Sequence, residues 1–227
     1  MNHFSIISNG DYVLSNPGYV KRRTIHLNSV LIDGYGENQD LYGLYGSPHG
    51  YVAALDASYF ASVESVSEED GVVTIVSDAS KAYTVGCSVK SHTRKIVWLK
   101  QKKAIIVCDD IACKYSSTIV QRFYPAPSSG TVSGNTYTGY TSKNIVKIRN
   151  LSPLTSTMNY GTQFIEDRSC DDGSEGTEAP VVKMTAQGSS VRMVAAICWQ
   201  TSGTSPVAPV YDESEGTVTI GDKTINL

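Results

Sequence analysis

The sequence predicts an all-β protein: an antiparallel β-sandwich of two sheets with little helix. Three observations lead there. Short runs rich in Val, Ile, Thr and Tyr recur along the chain, with Gly, Pro, Asn, Asp and Ser filling the gaps. No stretch carries apolar residues at helical spacing over a dozen positions; the best, Ala53 to Val63, is crowded with Ser, Tyr and Phe. Three polar tetrads or dipeptides sit between apolar runs as hairpin turns. With 227 residues and 41% hydrophobic content, the chain fits a single sandwich domain.

Taken in order, the first predicted strand is Thr24–Asp33, an apolar core of Val30-Leu31-Ile32 closed by Gly34. Tyr59–Ser65 and Val72–Ser77 follow, joined through Glu68-Glu69-Asp70-Gly71. Lys95–Leu99 and Ala104–Asp109 flank the polar turn Lys100-Gln101-Lys102-Lys103. Ser117–Tyr124, Ile145–Arg149, Val181–Ala186, Val191–Trp199 and Thr217–Ile220 complete the set, the last turning through Gly221-Asp222. Apolar residues on both phases of Val72–Val76 suggest burial on both faces. Ser152–Pro180, rich in Ser, Thr, Gly and acids, reads as a long surface loop with a short strand around Phe164-Ile165, and Gly188-Ser189-Ser190 reads as a turn.

Charge and composition exclude several classes. With 19 Lys+Arg against 22 Asp+Glu, the net charge of -3 argues against a general nucleic-acid binder. No run of about 18 apolar residues exists to span a membrane, and no basic stretch followed by an apolar one marks a signal peptide at Met1. Five cysteines, Cys87, Cys108, Cys113, Cys170 and Cys198, form no C-x-x-C pair and read as mainly reduced, with Cys108 and Cys198 as small buried hydrophobes. There is no P-loop, no G-x-S-x-G elbow and no dinucleotide fingerprint.

Individual side chains leave alternatives open. His26 and His92 are each read as a metal ligand, a proton carrier or an ordinary hydrogen-bonded histidine. The acids Glu166, Asp167, Asp171, Asp172, Glu175 and Glu178 lack EF-hand spacing and read as a solvated loop or a calcium site. The 14 tyrosines are suited both to packing with a wet edge and to stacking on sugar rings.

The order of motifs resembles the C-terminal β-sandwich of heparinase II/III-like polysaccharide lyases. The residues that carry this are Arg22-Arg23-Thr24 leading into His26-Leu27-Asn28-Ser29-Val30-Leu31-Ile32-Asp33-Gly34, then Ser77-Asp78-Ala79-Ser80-Lys81-Ala82-Tyr83, then Arg94 with two apolar strands, the second ending in Asp109-Asp110. The resemblance is best over residues 10–125. Leu27 separates His26 from Asn28, which the family has adjacent, so either a bulge restores the histidine or its role is lost.

The resemblance implies cleavage of uronic-acid polysaccharides by β-elimination, with proton removal at C5, charge neutralisation at the carboxylate and a general acid at the leaving oxygen. It also implies a Zn²⁺ bound by His26, Asp56 and His92, Tyr83 as a catalytic group and Arg94 as a uronate contact. The plainer readings are that Asp78, Ser80 and Tyr83 shape a turn and that Arg94 pairs with Asp109 or Asp110 across the hairpin. Family enzymes also carry an α/α-toroid, for which this sequence has no segment, so the expected partners are an acidic polysaccharide and a toroid domain or subunit, in an extracellular or periplasmic setting. The competing reading is a stand-alone carbohydrate-binding or structural assembly module; a self-sufficient lyase built on Tyr83, His92 and Arg94 is the third.

Overall fold

Alternation of apolar and polar residues, with turn chemistry at the breaks, builds a chain that is strand nearly throughout. The computed structural model describes residues 3–15, 24–37, 60–83, 87–127, 129–152, 155–166 and 175–227. Its strands are β1 (Ile6–Ser8), β2 (Asp11–Leu14), β3 (Val30–Ile32), β4 (Ser62–Glu69), β5 (Val72–Asp78), β6 (Val89–Leu99), β7 (Ala104–Phe123) and β8 (Gly130–Ser133). The second half of the chain adds β9 (Thr136–Tyr140), β10 (Asn144–Asn150), β11 (Thr157–Glu166), β12 (Gly176–Thr201), β13 (Val210–Asp212), β14 (Thr217–Ile220) and β15 (Lys223–Asn226). The expected all-β, antiparallel architecture is what the protein has.

A 10-stranded sheet runs β4-β5-β6-β7-β12-β10-β9-β8, with β11 also paired to β12 and β3 to β7; β1-β2 and β13-β14-β15 form small sheets. All three predicted hairpins are present. At Asp70 and Gly71 φ is 49° and 74°, the paired left-handed conformation of a type I′ turn, so β4 and β5 extend right up to the two turn residues.

The two layers of the sandwich come from bending this one sheet. Gln121 donates from Nε2 to Asp109 Oδ2 at 2.7 Å although the two lie 12 residues apart on β7. A straight strand would separate them by about 40 Å at roughly 3.3 Å per residue. The bend sits where Gly188 pairs Ser117 and Ser190 pairs Ala112, leaving residues 113–116 of β7 opposite Ser189 alone. Across this bulge the inward phase of β12 changes from even positions (Val182, Met184, Ala186) to odd ones (Met193, Ala195, Ile197, Trp199), all within one core. The Gly188–Ser190 segment, expected as a turn, is thus a bulge within a continuous strand.

The core between the layers gathers Val30, Ile32, Ile105, Val107, Ile119, Phe123, Val146 and Ile148. The opposite face of β7 and β12, through Ile106, Cys108, Val194 and Ala196, is covered by Val218 and Ile220 of the β13–β15 sheet. Dual coverage explains why Ala104–Asp109 is buried at every position. Burial pushes the thiols of Cys108 and Cys198 up to about 12, in keeping with inert small hydrophobes.

Two further expectations are corrected. Thr24–Asp33 is not one strand: a 3-10 turn takes Thr24–His26 and only Val30–Ile32 is extended. The region 152–180, expected as a long surface loop with a short strand around Phe164-Ile165, carries the ten-residue β11 and the first residues of β12. These strands pair in a ten-residue register from Thr157↔Thr185 to Glu166↔Gly176, and their largely solvated faces hide the apolar signal a strand search relies on.

Two glycines in β8 and β9 are required by a close approach. A Cβ built on Gly139 would lie 2.4 Å from the Tyr137 hydroxyl and one on Gly130 would lie 2.2 Å from the same ring. Tyr137 is completely buried and has no room to withdraw. Gly139→Ala is therefore expected to destabilise by about 1–3 kcal/mol, read as a lower urea midpoint with an unchanged slope.

Candidate functional site

The bend brings polar side chains of both layers together inside the core. Arg94 on β6 and Asp109 on β7 are direct cross-strand partners. Arg94 Nε donates to Asp109 Oδ1 and Nη2 to Oδ2, each at 2.8 Å, a bidentate ion pair. Its Nη1 donates to the Asn28 carbonyl at 3.0 Å. Two residues before Arg94 and on the same face, His92 bonds through Nε2 to Asp109 Oδ1 at 2.8 Å. His92, Arg94, Asp109 and Gln121 are all essentially inaccessible to solvent.

Burial alone would raise the carboxyl of Asp109, but the Arg94 charge and the hydrogen bonds from His92 and Arg94 hold it well below the usual carboxylate range. Burial likewise opposes the charge of Arg94, and Asp109 outweighs it to leave the guanidinium more basic than usual. An ionised Asp109 can only accept, so His92 Nε2 carries the hydrogen of that bond. In the neutral ring this leaves Nδ1 as a bare acceptor, and Nδ1 is buried without a partner. Gln121 Oε1 is a second buried acceptor without one. Both are open acceptors within this buried cluster.

The remaining predicted residues divide. Tyr83 lies in a 3-10 turn at Ser80–Tyr83, wholly buried, with its ring centroid 5.4 Å from that of His92 and its hydroxyl donating to the Val30 carbonyl at 2.8 Å. Asp78 accepts from the Ser80 backbone N–H at 2.7 Å and from its hydroxyl, and Ser80 Oγ accepts from the His92 backbone N–H at 3.0 Å. These bonds, the side-chain one first, hold the Asp78 carboxyl below its usual range, and the turn-shaping reading of this motif is the one its geometry fits.

Arg94 takes the cross-strand alternative with Asp109, and a guanidinium so enclosed orients that carboxylate where a uronate contact had been expected. His26 is buried in its 3-10 turn, and bonds from Leu27 N to the Thr24 carbonyl and from Ser29 N to the Leu27 carbonyl absorb the extra Leu27 in a tight turn outside any ladder. Asp56, together with Asp167, Asp171 and Asp172, lies outside the described residues. Among the described residues no three His, Cys, Asp or Glu side chains form a metal cluster.

Asn28, Asp109 and Gln121 complete the cluster. Asn28 Nδ2 donates to the carbonyls of Phe4 and Ser15 at 2.7 and 3.0 Å, and its Oδ1 accepts from the Tyr124 backbone N–H at 2.7 Å, fastening the N-terminal segment to β7. The only sequence signal for Gln121 is phase: it shares the period-two face of Ile119 and Phe123.

No protein-family model matches the chain, and no curated protein does. Solved structures do. Heparan sulfate lyase HepC from Pedobacter heparinus, in a mutant form, superposes with a TM-score of 0.69 at 11% identity over 99% of this chain and 36% of that one. A crystal structure of heparinase III gives 0.70 at 15% identity over 99% of this chain and 35% of that one. The chain thus has the fold of one domain of heparinase III-like lyases and spans about a third of their length. The likeness runs along nearly the whole chain, further than the 10–125 stretch whose motifs resemble the family. Among the described residues, no helix is long and apolar enough to cross a membrane.

Proposed function

We propose that this chain is the β-sandwich of a polysaccharide lyase that acts on uronic-acid polymers by β-elimination, together with an α/α-toroid supplied by another domain or subunit. The observation that carries the reading is the match of 99% of the chain to a third of the heparinase III structures, arrived at independently of the motifs. Within that reading, His92 is the residue of the sandwich best placed to hold Zn²⁺, through Nδ1, with His26 and Asp56 as the other ligands. Asp109 fixes the ring and Arg94 fixes Asp109, so both are positioning residues, and Tyr83 closes the wall beside His92. When bound, zinc supplies positive charge that offsets the uronate carboxylate.

The test is the zinc content of the purified protein, measured alongside the ultraviolet absorbance of unsaturated product during incubation with alginate, heparin, hyaluronan and glucuronan. The expected result is about one zinc per chain, lost in His92→Ala, with no product from the sandwich alone. Product without a toroid would make the sandwich a complete lyase. Neither zinc nor product would favour the second reading, a carbohydrate-binding or structural module, for which the exposed Tyr12, Tyr35, Tyr115 and Tyr140 are the candidate platforms.

A further inference from the structure

A second polar site lies on the opposite face of the β7–β12–β11 part of the sheet. Arg122 on β7 and Lys183 on β12 are direct cross-strand partners, and Asn159 on β11 pairs Lys183 from the other side. Like charges placed opposite one another repel at a separation of about 5 Å between Cβ atoms. Arg122 is also 3% exposed, which makes an uncompensated charge there costly.

The partners available to Arg122 are neutral. Its Nη2 donates to the Tyr124 hydroxyl and to Gln163 Oε1, both at 2.9 Å, and its guanidinium lies 5.8 Å from the Tyr124 ring centroid. Arg122 Nε is buried and has no acceptor. Burial, and then the Arg122 charge, push the Lys183 ammonium below its ordinary range. The carboxylates on these strands have the wrong phase: Glu166 and Glu178 occupy even positions, while Asn159, Gln163 and Lys183 share the odd-numbered face. Among the described residues no acid forms an ion pair with either cation.

We propose that Arg122 and Lys183 form an anion-binding site that takes an oxyanion group, a carboxylate or a sulfate, on a ligand reaching this face. Arg122, held by Tyr124 and Gln163, fixes a positive charge just beneath the surface. Lys183, partly buried, offers a mobile charge at the surface, and the exposed Asn159 offers a neutral polar group beside it. The geometry suits an oxyanion better than a neutral ligand, because both cations gain the counter-charge they lack. The site goes beyond the lyase reading and stands on its own observations, since it shares no residue with the His92–Asp109 cluster.

The test follows the thermal midpoint of the protein during titration with sodium sulfate and with sodium glucuronate, each against chloride at matched ionic strength. The native protein is expected to rise with at least one of the two beyond the chloride control. Lys183→Met should weaken that response at least about tenfold in apparent affinity, and Lys183→Arg should restore most of it. A response to sulfate alone assigns a sulfate group, to glucuronate alone a carboxylate, and to both a shared oxyanion site. Equal responses in the native protein and Lys183→Met, or none beyond chloride, overturn the proposal. The measurement contains neither zinc nor polymer, so its outcome is separable from that of the lyase reading.

Discussion

Asp109→Asn is expected to destabilise the protein by about 3–5 kcal/mol. The substitution is nearly isosteric, so the cost is electrostatic: it leaves the buried Arg94 guanidinium beside a neutral amide, and the NH2 that replaces Oδ2 cannot accept from Arg94 Nη2 or Gln121 Nε2. The pH dependence has a definite sign. The folded carboxyl titrates below its ordinary value, so the ion pair contributes fully at pH above roughly 4, where an unfolded aspartate is ionised. That contribution is lost as the pH falls from there through the folded value. Urea midpoints measured between neutral pH and about pH 3 should show this acid decline in the native protein and its attenuation in Asp109→Asn. A loss under about 1 kcal/mol at neutral pH would show that Arg94 is compensated elsewhere.

Ile106→Ala is expected to cost about 2–5 kcal/mol, for a different reason. Ile106 is wholly buried on the face of β7 turned away from the main core, in the cluster with Val194, Ala196, Val218 and Ile220. Its removal opens a cavity between the large sheet and the β13–β15 sheet, which the surrounding strands are too constrained to fill. Val63→Ala on β4, where the side chain is 64% exposed, should change stability by less than about 0.5 kcal/mol. Equal urea midpoints for Ile106→Ala and the native protein would mean that the small sheet does not cover this face.

Strand chemistry was legible where apolar residues dominate a run, while β2 and β9, short and rich in Thr, Tyr and Gly or acid, went unpredicted although each has buried residues. The hairpins at Asp70-Gly71, Lys100–Lys103 and Gly221-Asp222 announce themselves through turn residues, whereas burial on both faces, expected at Val72–Val76, falls on Ala104–Asp109 of β7, and Val72–Val76 is only partly buried. Strands β11 and the start of β12 escape notice because Thr, Asn, Gln and Glu fill faces that meet solvent; pairing, rather than composition, makes them strands. The bulge at Ser189 reads as a turn because Gly and Ser mark both.

The site was legible in part for the same reason. Arg94 and Asp109 are cross-strand partners of a short hairpin, a relation that sequence spacing exposes. Gln121 reaches Asp109 only because β7 folds back on itself, and nothing local to Gln121 states that bend. The pairing of Lys183 with Arg122 depends on register between strands 61 positions apart along the chain at that point, which no motif records.

Retention in gels cast with a polymer tests most directly the proposed role of this sandwich in handling acidic polysaccharides. Migration should slow in at least one of alginate, heparin, hyaluronan or glucuronan and remain unchanged in neutral dextran of similar size. Unretarded migration in all four acidic polymers at low salt would contradict it.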